Sequence, residues 1–147
     1  MSHDLRLQRV YGAPPEAVFD AFTDPDAQKE LYAESSDWAV EASCDLRVGG
    51  RWTISFGPPG GQAALETNVF QVVDRPRRLV FSSTMKMPDG SSIETDIQVT
   101  FEEEDGETRM TLVQRGFPAA QVRDDFMSGW GTILDRLGRL AATRSAG

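Results

Sequence analysis

Histidine and cysteine are nearly absent from this chain of 147 residues, which contains one of each, His3 and Cys44. A single cysteine cannot form an internal disulfide, so a cytoplasmic protein is the default expectation. One histidine near the N-terminus and one cysteine leave almost nothing from which to build a zinc site or a Ser-His-Asp triad. This scarcity argues against metalloenzymes and serine hydrolases, and we expect neither a metal ion nor a cofactor.

Long apolar runs and excess positive charge are also missing. No stretch approaches the roughly 20 apolar residues that a membrane-spanning helix needs, and the N-terminal residues lack the apolar core of a secretory signal. The formal net charge is −8, so nucleic acid and anionic membrane surfaces should repel the chain. Arginine far outnumbers lysine, a bias typical of GC-rich bacterial genomes. We therefore expect a bacterial protein that binds neither nucleic acid nor a membrane.

The residues that are present indicate one ordinary globular domain. Hydrophobic residues make up 39% of the chain and charged residues 26%, which is typical of folded proteins of this length. The sequence contains no internal repeat, low-complexity segment or linker. We therefore expect a single domain over residues 1–147.

The first third of the chain predicts one strand and two short helices. Residues 4–11 alternate between apolar and polar side chains, which is typical of a half-buried strand. Pro14 and Pro15 fit the first turn of a helix. The sequence Thr23-Asp24-Pro25 ends that helix and can begin a second one that runs through Leu31.

The middle of the chain predicts an antiparallel meander. Apolar residues recur with a period of two, and turn sequences rich in glycine, proline and aspartate separate the segments. Strands that are joined by such short loops pair as antiparallel neighbours. The predicted segments are 38–42, 51–56, 65–73, 79–85, 93–101 and 108–114. With the first strand, they predict a sheet of about six to seven strands.

The C-terminal part predicts one long amphipathic helix that begins near Pro118. Its apolar residues follow each other in steps of three and four. They are Val122, Phe126, Trp130, Ile133, Leu137 and Leu140. A sheet with one apolar face needs a cover, and this helix is the only element large enough to provide it. The predicted fold class is α+β, a curved antiparallel sheet wrapped around the C-terminal helix with a cavity between them.

Several stretches also resemble a known family. They are Arg9 with Ala13–Phe19, Phe22–Pro25, Asp45–Trp52, Val73–Val80, Gly106–Leu112, and Gly129-Trp130 with Leu134–Leu137. Together with the order of elements, they resemble the activator of heat-shock protein 90 ATPase-like branch of the START-related SRPBCC superfamily. The resemblance covers residues from about 5 to 141 and implies the helix-grip fold. Asn68 and Ser83 stand where the family often has glycine and tryptophan, which changes the volume and polarity of the expected cavity.

Strand parity and helical spacing aim one set of side chains at the expected cavity. It combines aromatic rings and adaptable methionines with a few polar groups, a mixture that suits an apolar ligand with one polar end. The same pattern is also typical of plain hydrophobic core. The candidate ligand-binding residues are Trp52, Ile54, Phe56, Asn68, Phe70, Phe81, Ser83, Met85, Met110, Leu112, Gln114, Phe126, Met127, Trp130 and Leu134.

Three further residues are unusual for the elements that contain them. Arg9 shares the covered face of the first strand, and a covered arginine must be paired. We expect Asp45 or Glu16 to be its partner. Gly129 and Gly131 lie inside the long helix at a cost of about 1 kcal/mol each. We interpret them as points of close backbone packing, with a kink or space for a ligand as alternatives.

Three functions are compatible with these features. The first is binding of a hydrophobic or aromatic small molecule without catalysis. The second is a role in protein interaction, including the co-chaperone role that the resemblance implies. The third is a cyclase-like or hydrolase-like enzyme. Because Arg9, Asn68, Ser83 and Gln114 are the only polar candidates and none is a conventional base, we expect binding rather than catalysis.

Overall fold

The computed structural model describes residues 3–33 and 38–146. Strand β1 (His3–Tyr11) is followed by two short helices, α1 (Pro15–Thr23) and α2 (Pro25–Tyr32). The remaining elements are β2 (Ala39–Cys44), β3 (Arg51–Gly57), β4 (Ala64–Asp74), β5 (Arg78–Lys86), β6 (Ser92–Glu104), β7 (Glu107–Phe117) and helix α3 (Ala120–Ala146). The predicted order of elements is confirmed.

The strands form one antiparallel sheet of seven strands in the order β1-β7-β6-β5-β4-β3-β2. Chain neighbours pair from β2 to β7, and β1 joins the far edge beside β7. Because β1 and β2 are the two edge strands, α1 and α2 connect opposite edges of the sheet. The α+β helix-grip fold is confirmed.

A bulge in β4 contributes to the curvature of the sheet. The register between β4 and β5 shifts between Phe70 and Val72, after which Val73 pairs with Leu79. An extra residue bends its strand and increases the local twist. The shift returns Val73 to the face of the sheet that carries Leu79, which is fully buried.

Helix α3 covers this concave face with an apolar stripe. Trp130, Leu134, Leu137 and Ala141 are buried on its inner side. Phe126 and other flanking residues of the helix are partly buried against the same core. Burial of Trp130 confirms the predicted placement of the helix. At 27 residues, α3 extends roughly 40 Å and packs against β1, α1 and α2.

The close approach of helix and sheet occurs at a different glycine from those predicted. A Cβ atom at Gly138 would lie 2.8 Å from Cδ1 of Tyr11, so only glycine fits there. The Tyr11 hydroxyl also donates a hydrogen bond to the Leu134 carbonyl oxygen at 2.7 Å. A Cβ at Gly129 would meet nothing within 4 Å, and one at Gly131 would make only ordinary contact with Arg9. The prediction of tight packing at Gly129 and Gly131 is wrong.

Arg9 is paired, but with a carboxylate other than the two predicted ones. Its Nε atom lies 3.1 Å from Oδ1 of Asp135 on α3. The predicted partners Asp45 and Glu16 are wrong because α3 crosses β1 and brings its own carboxylate to this position. Asp45 instead pairs with Arg47 within the β2–β3 turn.

Candidate functional site

Aromatic rings pack against one another in the region between the concave face and the three helices, which we call the interior. The Phe22 ring of α1 lies 5.3 Å from Trp52, 6.2 Å from Phe101 and 6.3 Å from Trp130, measured between centroids. Trp52 also stacks on Phe70 at 5.8 Å. Such edge-on and stacked pairs favour a rigid apolar wall.

The structure brings the sequence-predicted site residues together on the inner surfaces of β3 to β7 and α3. The buried members are Trp52, Ile54, Asn68, Phe70, Phe81, Ser83, Met85, Met110, Leu112, Gln114, Trp130 and Leu134. Three others, Phe56, Phe126 and Met127, are partly buried and pack against the core. Phe56 contacts the Tyr32 ring and Phe126 contacts the Phe117 ring, at 5.3 and 5.0 Å between centroids.

A polar cluster lies under α2, on the inner face of β3 and β4. The Asn68 amide nitrogen donates to Oε2 of Glu66 at 2.8 Å and to the Trp52 carbonyl oxygen at 3.3 Å. The Trp52 indole donates to Oε1 of Gln28 at 2.6 Å, and the Gln28 amide donates to the Phe22 carbonyl oxygen. Each of these side chains is at least 95% buried, so the cluster is held in an apolar environment.

One atom of this cluster is left without a partner. Asn68 Oδ1 is buried and accepts no hydrogen bond within the described part of the chain. This orientation of the amide is favoured because its nitrogen faces two acceptors, the Glu66 carboxyl and the Trp52 carbonyl. Such an orphan acceptor costs about 1–3 kcal/mol, so native structures rarely retain one.

The Glu66 carboxyl has an abnormal acidity. Burial raises its pKa from 4.5 to about 7, and the hydrogen bond from Asn68 offsets only part of this increase. Burial, and secondarily the charge of Glu66, raises the pKa of Tyr32 well above its usual value. Near neutral pH, Glu66 can therefore gain or lose a proton while Tyr32 stays neutral. We call Glu66 and Asn68 the Glu66–Asn68 pair.

A second polar cluster joins α3 to the sheet. The Trp130 indole donates to Oε1 of Gln114 at 2.8 Å, and the Gln114 amide donates to Oγ1 of Thr95 at 2.8 Å. Both ends of the Gln114 amide are therefore occupied by the protein. This arrangement favours a structural role for Gln114. The ligand contact that was predicted from its position in the strand is less favoured.

The buried Glu66 carboxyl was not among the site residues predicted from the sequence. Glu66 lies two residues before Asn68 in β4, so the same parity that selected Asn68 also selects Glu66. That alternation was the available signal. Gln28 and Thr95 were missed because each is a single polar residue in a short helix or a polar strand, and nothing local marks it as buried.

The Cys44 thiol and the described metal-ligating side chains give little support to a catalytic site. Burial, and secondarily Asp45, raises the pKa of the Cys44 thiol to about 11, so the thiolate nucleophile is scarce at neutral pH. Within residues 3–33 and 38–146, no group of three or more His, Cys, Asp or Glu side chains is placed to hold a metal ion. Glu66, by contrast, has acid–base capacity near pH 7.

A groove of about 390 Å³ lies outside the interior, between α2 and α3. It is lined by Glu30, Leu31, Arg136, Arg139, Leu140 and Thr143. The Arg136 guanidinium donates to the carbonyl oxygens of Leu31 and Ala33 at 3.1 and 2.6 Å. These bonds satisfy carbonyls at the C-terminal end of α2 and hold that helix over the polar cluster.

The curved sheet, its long covering helix and the mixed aromatic and polar interior define a protein of the helix-grip class. Residues 12–142 match the family model described as Activator of Hsp90 ATPase homolog 1-like protein. The chain belongs to this family. No curated protein matches the sequence. None of the helices within the described residues is both long and apolar enough to cross a membrane.

Solved structures share the fold. A protein from Rhizobium leguminosarum is 22% identical, with a TM-score of 0.83 and coverage of 97% of this chain and 96% of its own. A protein from Chromobacterium violaceum is 24% identical, with a TM-score of 0.81 and coverage of 94% and 96%. An AHSA1-like protein from Aeromonas hydrophila, solved by NMR, is 28% identical, with a TM-score of 0.77 and coverage of 97% and 94%.

Proposed function

We propose that this chain is a cytoplasmic protein that binds a hydrophobic or aromatic small molecule in the interior, without catalysing a reaction. The observation that carries the proposal is the buried Asn68 Oδ1 atom, which has no donor in the part of the chain that the structure describes. A buried acceptor is rarely left unsatisfied, whereas a ligand with a hydrogen-bond donor would satisfy it. The aromatic rings around Trp52 and Phe22 supply the apolar wall that such a ligand needs.

Tryptophan fluorescence provides a direct test because two of the three tryptophans lie in the interior. Titration with a panel of flavonoids, aromatic amines and fatty acids should change the emission of Trp52 and Trp130 saturably for at least one class. If no class changes it, the binding proposal fails, and the co-chaperone role that the family name implies becomes the stronger hypothesis.

Two variants locate the binding site within the interior. Ser83 pairs with Asn68 across β4 and β5, so Ser83→Trp should place an indole ring beside the Glu66–Asn68 pair and abolish binding. Met110→Trp should block the β7 side in the same way. The exposed substitution Glu94→Gln on β6 is the control and should bind as the wild type does. Circular dichroism establishes which variants remain folded.

Acid–base catalysis on the bound molecule is a second candidate function, and Glu66 favours it. A carboxyl with a pKa near 7 is matched to general acid–base work at neutral pH. The test is mass spectrometry of each bound compound after prolonged incubation. Conversion by the wild type and its loss in Glu66→Gln would establish catalysis, whereas recovery of the unchanged compound would support binding alone.

A further inference from the structure

Resting on the proposed function, we propose that the ligand is an apolar molecule that ends in a primary amine, and that the Glu66–Asn68 pair holds its ammonium group. The two side chains project from the same face of β4 and contact each other through Asn68 Nδ2 and Glu66 Oε2 at 2.8 Å. Their oxygen atoms give this part of the interior an excess of acceptors.

The count of donors favours an amine over other head groups. Asn68 Oδ1 has no donor within the described residues, and Glu66 receives one hydrogen bond there, from Asn68. An ammonium group carries three donors and can bond both oxygens at once. A hydroxyl group has one donor, so it can satisfy only one of them. A carboxylate has none and would place its negative charge beside Glu66.

The charge of the cluster leads to the same class of ligand. Burial and the Asn68 hydrogen bond set the pKa of Glu66, and no arginine or lysine among the described residues contributes to it. Tyr32 is the titratable neighbour, and it is neutral. A buried carboxylate without a cation is costly. An ammonium group would supply the missing charge and form a charge-assisted hydrogen bond.

Aromatic rings beside the pair add to the preference for a cation. The Tyr32 ring packs against Phe56 at 5.3 Å between centroids, and Tyr32 lies close enough to Glu66 for their charges to interact. Ring faces attract an ammonium group that lies within about 6 Å of the ring centroid, and the Tyr32 ring is near enough to Glu66 to contribute in this way. Trp52, whose carbonyl oxygen bonds Asn68, provides a further ring for the apolar body.

The test compares four compounds with one apolar body: 4-phenylbutylamine, 4-phenylbutanol, 4-phenylbutyrate and butylbenzene. Binding to the intact chain is measured by isothermal calorimetry at pH 8, where Glu66 is mostly ionised and the amine is mostly protonated. We expect the amine to bind at least about ten-fold more tightly than the alcohol, with the carboxylate weakest.

Glu66→Gln isolates the charge because it keeps the shape of the side chain and its position beside Asn68. It should reduce the advantage of the amine over the alcohol to about two-fold or less. Glu94→Gln, an exposed carboxylate substitution on β6, is the matched control and should leave the ranking unchanged.

The outcomes separate this inference from the proposed function. Equal binding of all four compounds, or tightest binding of the carboxylate, would overturn the amine assignment and leave the small-molecule proposal standing. An unchanged preference for the amine in Glu66→Gln would also overturn it. If none of the four compounds binds up to its solubility limit, the amine assignment fails, and failure across the wider fluorescence panel would then remove the proposed function as well.

Discussion

The Trp130 indole of α3 donates a hydrogen bond to Oε1 of Gln114 on β7 at 2.8 Å, while Trp130 itself is 5% exposed. One side chain therefore provides both the apolar mass and the polar contact that join helix to sheet. Gln114 is in turn fixed by Thr95 on β6. The attachment of α3 thus depends on a buried network as well as on hydrophobic packing.

Trp130→Ala should be among the most destabilising single substitutions. It removes a buried indole, leaves a cavity and deprives Gln114 of its donor, so we expect a loss on the order of 3–5 kcal/mol in the free energy of unfolding. Urea denaturation followed by circular dichroism measures it. Trp130→Phe keeps most of the apolar volume and should cost clearly less. A loss below about 1 kcal/mol for Trp130→Ala would contradict this placement.

Two glycines of the same helix should respond in opposite directions to alanine. Gly129→Ala places a methyl group where, apart from the adjoining helix backbone, no atom of the described residues lies within 4 Å, so the better helix propensity of alanine should stabilise the protein by about 1 kcal/mol. Gly138→Ala drives a methyl group into the Tyr11 ring, whose hydroxyl is anchored to Leu134. We expect it to destabilise the protein by about 1–3 kcal/mol.

Thermal unfolding of both alanine variants provides the comparison. Both variants carry the same change, glycine to alanine, in the same helix. A difference between their melting temperatures therefore reports the different surroundings of the two positions. A melting temperature that rises equally in both variants would show that the Tyr11 ring yields freely and that Gly138 is not a point of close approach.

Sequence periodicity was sufficient for the fold but not for the site. Apolar and polar residues alternate in the strands, and apolar residues recur every three or four positions in α3. Both patterns depend only on neighbours along the chain, so the elements and their inner faces could be predicted. The partners of Arg9 and Tyr11 depend on where α3 crosses β1, which is a tertiary fact. The acidity of Glu66 depends on its burial and on the lack of a nearby cation within residues 3–33 and 38–146, and neither can be read from one strand.

The single cysteine should react slowly with alkylating reagents at neutral pH. Burial, and secondarily Asp45, raises the pKa of Cys44 to about 11, and alkylation requires the thiolate. We expect the rate with iodoacetamide to be far below that of free cysteine at pH 7 and to keep rising beyond pH 9. Mass spectrometry of samples quenched over time measures it. A rate that levels off near pH 8 would contradict the raised pKa.

The stability of the protein should fall between pH 4.5 and pH 7 because of Glu66. Its pKa is 4.5 in an ordinary environment and about 7 in the fold, so the folded state binds the proton more strongly than the unfolded state does. The contribution of Glu66 to the free energy of unfolding is therefore fully present below pH 4.5. It is lost as the pH rises through 7, and the loss amounts to at most about 3 kcal/mol.

Glu66→Gln removes the titrating carboxyl at this position and leaves the other titrating groups unchanged. The difference between the variant and the wild type therefore isolates the effect of Glu66. The variant and the wild type should differ by a nearly constant amount in free energy of unfolding below pH 4.5. The variant should then gain relative to the wild type as the pH rises to 8, because its neutral amide never has to be buried as an anion. Urea denaturation at each pH measures both, and the exposed substitution Glu94→Gln should show no comparable gain. A difference between Glu66→Gln and the wild type that stays flat from pH 4 to pH 8 would show that the Glu66 carboxyl titrates normally in the fold.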